Sequence, residues 1–217
     1  MKKIYCDESF FKNDSENTFY WAGFIAADGN LGERNNKAKN KVVSLSQSDK
    51  IVIQNFLNDI KDNGRKISER KYKTLKGENT MYAAQISSEE MFNDLSRFGI
   101  VPVKSKILEF PEWLASHSLV NHFIRGYFDG DGSVYIQKNS KYIEFRGTVS
   151  FLSTINEIIK SKIMLKTKAE VRVHSNCGSL KYAGNNLVPM VGEYLYNNAN
   201  LFLPRKKEKI FASKNES

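Results

Sequence analysis

The sequence predicts an α+β protein built from two similar halves, each running helix, strand, strand, helix, strand, strand, helix. Three observations carry this expectation. An apolar, glycine-containing segment that ends in Asp-Gly occurs twice, about 100 positions apart. Stretches of period-two alternation mark strands that bury one face only. Apolar residues at helical spacing stand between those strands.

The repeat is explicit. Phe19-Tyr20-Trp21-Ala22-Gly23-Phe24-Ile25-Ala26-Ala27-Asp28-Gly29 resembles His122-Phe123-Ile124-Arg125-Gly126-Tyr127-Phe128-Asp129-Gly130-Asp131-Gly132. Downstream, Val43-Ser44-Leu45 is expected to answer to Val149-Ser150-Phe151, and Pro102-Val103-Lys104 to Pro204-Arg205-Lys206. The expected halves are residues 1–106 and 117–217, joined by a linker at 107–116.

Each half opens with a helix that stops at Asp-Gly, glycine being a good helix terminator. In the second half, Tyr142 to Phe151 reads as a strand with Ile143, Phe145, Val149 and Phe151 on one face. Lys168 to His174 reads likewise, with Ala169, Val171 and Val173 inward. Between them Thr154 to Lys162 reads as a helix, with Ile155, Ile158, Ile159 and Ile163 at helical spacing, and Ser48 to Asp62 is its counterpart. The outward face of the strands carries Tyr142, Glu144, Arg146, Lys168, Arg172 and His174. Such side chains can read bases and phosphates from a sheet lying in a major groove. An ordinary wet face of an antiparallel sheet accounts for them equally well.

The two opening helices are more specific. Gly23 and Ala27 lie on one helix face, as do Gly126 and Gly130, and small residues at that spacing let another backbone come close. Trp21, Phe24 and Ile25, like Ile124, Tyr127 and Phe128, can anchor each helix in its own half. If the small faces pack together, Asp28 and Asp131 meet at the negative ends of two helix dipoles. A cation must neutralise such a pair. Hard oxygen ligands select Mg²⁺, which keeps several waters and needs only one or two carboxylates. It can activate water against a phosphodiester.

Composition bounds the alternatives. Lys and Arg number 33 against 24 Asp and Glu, a net charge of +9 that favours a polyanionic partner through counterion release. No apolar run is long enough for a membrane helix, and the lysines at the start precede no apolar stretch of the kind a secretory signal needs. Only Cys6 and Cys177 are cysteines, too few for a disulfide framework or a Cys-rich zinc site, so a reducing interior is expected. Asp129-Gly130-Asp131-Gly132 lacks the Gly and Glu of a calcium loop at Val134 and Ser140. His117 and His122, read as lying in a helix, are assigned no catalytic role.

The segments Trp21 to Gly29 and Ile124 to Gly132 resemble the paired signature of the LAGLIDADG homing endonucleases, in the form where one chain carries both motifs. The likeness extends through Ile86 to Leu95, Phe98 to Lys104, Tyr194 to Tyr196 and Leu203 to Lys206. It implies a pseudo-two-fold αββαββα repeat whose antiparallel sheets form a saddle over DNA. It implies that Asp28 and Asp131 bind a divalent metal, Mg²⁺, with the backbone carbonyls of Ala27 and Gly130 assisting. Lys104 and Lys206 match the peripheral lysines that support the reaction, and Gln47 matches a residue that orders water. Asn30, Arg34, Ser133, Tyr135 and Gln137 join the strand residues above as the implied DNA contacts. One departure is Ala26, where the second motif keeps an acid, Asp129; that position is not a metal ligand in the family.

The resemblance therefore implies a monomeric, metal-dependent endonuclease. It would make a double-strand break in a long DNA target, for intron mobility, in the cytoplasm or the organelle that encodes it. Intein splicing is not expected from a chain that neither begins with Cys or Ser nor ends in His-Asn. The alternative on the same scaffold is a maturase that binds its own intron RNA. Retention of both aspartates favours the enzyme, since a pure binder has no need of their electrostatic cost.

Overall fold

A computed structural model describes residues 4–33, 40–75, 77–163, 168–174 and 177–212. The first half contains α1 (Glu16–Asp28), β1 (Gly29–Glu33), β2 (Lys41–Gln47), α2 (Lys50–Asp59), β3 (Ser68–Thr74), β4 (Gly77–Ser87) and α3 (Glu89–Ser96). A short α4 (Glu112–Ala115) follows. The second half repeats the plan as α5 (Val120–Asp131), β5 (Ser133–Gln137), β6 (Ser140–Gly147), α6 (Val149–Ile163), β7 (Val171–His174), β8 (Cys177–Ala183) and α7 (Leu187–Tyr196), and ends in α8 (Pro204–Phe211). The described strands form two four-stranded antiparallel sheets, ordered β1-β2-β4-β3 and β5-β6-β8-β7. The expected α+β repeat is the one observed.

Local chemistry sets the element starts. Ser15, Asp49 and Ser88 accept hydrogen bonds from the backbone N–H groups of Thr18, Ile51 and Met91, capping α1, α2 and α3. The ends of α1 and α5 differ from expectation. Gly29 and Gly132 have φ of −84° and −77°, extended values that any residue adopts, so neither forms a left-handed cap. Their glycines serve close approach instead: a Cβ at Gly29 would lie 2.8 Å from the carbonyl oxygen of Ile25, and one at Gly132 would lie 2.5 Å from that of Phe128.

The centre of the molecule is the contact between α1 and α5. A Cβ at Gly23 would sit 2.0 Å from the Phe123 carbonyl oxygen, and one at Gly126 would sit 1.9 Å from that of Tyr20. The helix backbones touch where these glycines face the partner, as the sequence spacing predicts. Flanking aromatics tie each helix to its own half. Trp21 packs on Phe56 at 5.1 Å and donates to Asp59; Phe128 packs on Phe145 at 4.9 Å and Tyr127 on Phe151 at 4.6 Å.

A buried polar network crosses the same contact. Arg125, fully buried, donates to Glu16 of α1 and to the carbonyls of Leu195 and Leu201. Asp129, also fully buried, accepts from the hydroxyls of Tyr20 and Tyr196 and from the Leu203 N–H. The first motif has Ala22 and Ala26 at the matching positions. Asp129 is thus a structural acid, which explains why its absence at Ala26 leaves the first helix end intact.

Three expected features are corrected. The strand read as Tyr142 to Phe151 ends at Gly147, so Val149 and Phe151 belong to α6, where Phe151 is buried and Val149 is 40% exposed. Consequently Val43-Ser44-Leu45 corresponds to Ile143-Glu144-Phe145, because Leu31 pairs with Val43 as Val134 pairs with Ile143. The second hairpin is shorter, turning through Lys138 and Asn139 at positive φ. Finally, β7 begins only at Val171, which leaves Lys168 off the strand, and Val173, expected inward, is 67% exposed near the end of this edge strand.

The glycine contact gives a direct test. Gly126→Ala forces a methyl group into a backbone carbonyl, so the helices must separate. Urea unfolding should show a loss of at least about 3 kcal/mol, at the top of the range for overpacked sites. Ala22→Gly, one position away from the contact on α1, should cost only about 1 kcal/mol, as a helix-interior glycine does.

Candidate active site and nucleic-acid interface

Asp28 and Asp131 are the last residues of α1 and α5. Because the helices touch, their ends converge: a Cβ at Gly130 would lie 2.5 Å from Cβ of Ala27 and 3.4 Å from Oδ2 of Asp28. Both carboxylates reach solvent at the meeting point. Crowding by protein holds the pKa of Asp28 above the ordinary carboxylate value. Asp131 is raised by the same desolvation and then by the charge of Asp28. The carbonyl ends of both helices add negative potential.

Lys104 and Lys206 answer that potential. Expected at the periphery, both are buried, 8% and 4% exposed. Lys104 Nζ donates to the carbonyl of Gly29 at 2.5 Å and to that of Ala27 at 3.4 Å. Lys206 Nζ donates to the carbonyls of Gly132, Phe128 and Asp129 at 2.5, 2.6 and 2.8 Å. Each lysine therefore caps the carboxyl end of the motif helix in its own half, where a cation is favourable. Burial lowers both pKa values, that of Lys206 to about 8. Gln47, at the end of β2, donates from Nε2 to Asp28 Oδ2 at 2.5 Å. The side chains expected to act together are thus assembled around one point.

The donor set suits a hard cation with few protein ligands. Among the described residues no group of three or more His, Cys, Asp and Glu gathers anywhere. Two carboxylates and the carbonyls of Ala27 and Gly130 are available here, and the Ala27 carbonyl is shared with Lys104. Such a set leaves most of the coordination shell to water and phosphate oxygens, as Mg²⁺ prefers. Beside Asp131 lies a cavity of about 230 Å³ lined by Lys104, Tyr127, Arg146, Thr148 and Cys177 among others.

The sheets extend from this point with polar outer faces. Cross-strand pairing puts Arg146, Ser179 and Arg172 in one row, and Ser133, Glu144 and Lys181 in another. Tyr135 and Tyr142 pair and stack at 5.0 Å on the same face, with Gln137 near the hairpin turn and His174 at the end of β7. Asn30 pairs with Ser44, and Ser44 with Gln85, on the outer face of the first sheet. Glu144 is engaged by Tyr135, Arg146 and Lys181, so it orders neighbours that face outward. Arg34 lies outside the described residues.

The sequence reading missed Ser179 and Lys181 of β8, although Leu180 and Tyr182 alternate with them and gave a usable signal. It also missed Ser44, Arg70, Tyr72 and Gln85. β3 is exposed throughout, so it carries no alternation to read. Neither histidine of the second motif region serves the site. His117 precedes α5 and stacks on Phe19, and His122 meets Arg125.

Residues 118–162, which carry the second motif and its hairpin, match the LAGLIDADG-like domain family. The chain superimposes on the homing endonuclease I-WcaI bound to its DNA recognition sequence, with a TM-score of 0.65 and 15% identity, covering 94% of this chain and 91% of that one. The fold is the LAGLIDADG homing endonuclease fold. Full-length DUF199/WhiA from Thermatoga maritima shares it at a TM-score of 0.55 and 17% identity, over 94% of this chain and 62% of that one. I-DmoI in complex with DNA and Mn shares it at 0.51 and 16%, over 78% and 90%. No curated protein sequence matches the chain. Among the described residues no helix is long and apolar enough to cross a membrane.

The two aspartates occupy adjacent helix ends at a cost to the folded protein. The raised pKa values mean that the folded state holds these protons more tightly than the unfolded one. That contribution is complete below the unfolded value, near 3.9, and is lost as pH rises through the folded value. Asp131→Asn should therefore raise the Tm of the metal-free protein at pH 7 by about 2 °C, a size discounted for solvent screening. The gain should shrink as pH falls towards 4. Calorimetric melts of both proteins across that range check the sign.

Proposed function

We propose that the chain is a site-specific DNA endonuclease that makes a double-strand break in a long target, acting as a monomer to serve intron mobility. In this reading residues 1–106 and 117–217 are its two halves and 107–116 joins them. One observation carries the proposal: Asp28 and Asp131, from different halves, meet at the touching ends of α1 and α5. A module that only binds nucleic acid would be more stable without that charge pair. The DNA in the complexes of I-WcaI and I-DmoI, and the Mn in the latter, support the same reading.

The residues divide the work. Asp28 and Asp131, with the carbonyls of Ala27 and Gly130, would hold a divalent cation, Mg²⁺ in the physiological case. When bound, such an ion supplies Lewis acidity at the phosphate and a lower pKa for water. In hydrolysis a water oxygen bonds to phosphorus, the bond to the leaving oxygen breaks, and a proton passes to that oxygen. Lys104 and Lys206 hold the helix-end carbonyls in place and balance the carboxylates from below. Gln47 fixes the orientation of Asp28. Arg146, Arg172 and Lys181, with Asn30, Ser133, Tyr135, Gln137, Tyr142 and His174, present donors and aromatic edges to the DNA from the sheet faces. Arg146 and Arg172 share one cross-strand row and suit bidentate contacts to guanine.

Asp→Asn keeps the shape and removes the charge that would hold the metal. Asp28→Asn and Asp131→Asn should each leave target binding within a few-fold of wild type and lower double-strand cleavage by at least about 10²-fold. The target comes from a cleavage selection on randomised DNA with Mg²⁺. A plasmid carrying it, scored as supercoiled, nicked and linear forms, reads the effect. Linearisation by either variant at the wild-type rate would remove the aspartates from the mechanism.

A further inference from the structure

The two sheets differ at the hairpin that forms the outer edge of each. β2 pairs with β4 only from Tyr82 to Ser87, so Gly77–Met81 of β4 pair with β3 alone, opposite Arg70–Thr74. In the second half β6 pairs with β8 from Gly178 to Ala183, and only Cys177 runs on, opposite His174. The β3–β4 ribbon therefore outruns its sheet by five cross-strand pairs against one. At roughly 3.4 Å per residue the free ribbon is about 17 Å long. It leaves the sheet beside the helix junction, because the last β2 pair, Gln47–Tyr82, lies level with Asp28. In a two-fold repeat the β7–β8 hairpin occupies the opposite flank.

Burial within the protein does not account for this ribbon. Every residue of β3 is exposed, and Leu75 beyond it is fully so. A two-stranded ribbon on its own is marginally stable in water. Polar bonds brace the far end: the Thr74 hydroxyl donates to the Gly77 carbonyl, and the Asn79 amide donates to the Thr74 hydroxyl. The charge is one-sided. Residues 70–81 carry Arg70, Lys71, Lys73 and Lys76 against Glu78 alone, and Glu78 is already paired with Lys71 at 3.8 Å. Residues 173–178, the hairpin of the second half, carry no Lys, Arg, Asp or Glu. At the base of the ribbon Lys50 and Lys66 line an open groove against α2 and extend the positive surface.

We infer that the β3–β4 ribbon is an arm that grips the backbone of duplex DNA on one flank of the helix junction, through phosphate contacts that the second half lacks. The inference rests on DNA binding within the endonuclease reading and not on cleavage. Charge complementarity selects a polyanion, and the ribbon continues the polar outer face that runs through Asn30, Ser44 and Gln85. Reading a base needs a donor held in place by its neighbours, as Glu144 holds Arg146 at 3.3 Å. Arg70 and Lys73 stand exposed on opposite faces of the ribbon, an arrangement suited to positioning contacts with phosphates.

The test measures binding of the full-length protein to a mixed-sequence duplex by anisotropy, in Ca²⁺, across a salt series. Two variants are compared with wild type. In the first, Asn-Gly replaces residues 71–80, so that Arg70 and Met81 close a two-residue turn and the hairpin matches that of the second half. The second, Arg70→Gln/Lys73→Gln, keeps the ribbon and removes two charges, so it carries the test if the shortened chain does not fold. The slope of log affinity against log salt should fall by about 2 in both, with affinity near physiological salt down by about 10-fold. On a target from the cleavage selection, hydroxyl-radical footprints of the double variant should lose protection at about two to four sugars on one flank and none on the other. An unchanged slope in the double variant overturns the inference, as does equal loss of protection on both flanks. Relaxed base preference without a change of slope also overturns it, because the arm would then read bases. A protein that shows the arm-dependent slope but cuts no selected target keeps the arm and loses the nuclease reading.

Discussion

Backbone contact between α1 and α5 at Gly23 and Gly126 governs the rest of the structure. Only glycine permits that approach, since a methyl group at either position would overlap a carbonyl of the partner helix. Closeness there brings the helix ends together five residues later, and with them Asp28 and Asp131. It also sets the relative placement of the two sheets, because each motif helix runs directly into the first strand of its own sheet. A single tight crossing thus fixes both the position of the carboxylates and the polar faces that flank them.

That crossing concentrates negative charge, and the fold offsets it with buried cations placed below it. Lys104 and Lys206 each arrive from the far end of their own half and close onto the carbonyls of one helix end. Arg125, beside the Gly126 contact, pairs with Glu16 from the first turn of α1. This second network is one-sided, since the first motif has alanines where the second has Arg125 and Asp129. Two copies of α5 packed on each other would set Arg125 against its own kind without a Glu16. Pairing of unlike halves is therefore favoured over self-pairing of one half.

Much of this was legible in the sequence because the repeat doubled every signal. Two glycine-containing helices ending in Asp-Gly, followed by alternating segments, defined the fold class, the helix contact and the two aspartates. The LAGLIDADG resemblance added the lysines and Gln47, whose contacts the structure supplies. What stayed hidden has physical causes. The burial of Lys104 and Lys206 depends on tertiary closure about 75 residues away in sequence, which no local pattern reports. The end of β6 at Gly147 was masked because Val149 and Phe151 continue an alternation that α6 then takes over. β3 hid its register because both its faces are wet. The correspondence of Gln47 to Gly147 required the true strand register, which the apparent match of Val43-Ser44-Leu45 to Val149-Ser150-Phe151 conceals.

In the proposed enzyme, carboxylates from two halves of one chain share a cation site. Anomalous diffraction from a crystal of the protein with its selected DNA target and Mn²⁺ measures this directly. The expected result is density at the junction of α1 and α5, with an oxygen of Asp28 and one of Asp131 within about 2.0–2.6 Å of bound metal. Metal found only elsewhere on the complex, with both carboxylates more than about 4 Å from it, would rule out a shared site at the helix ends.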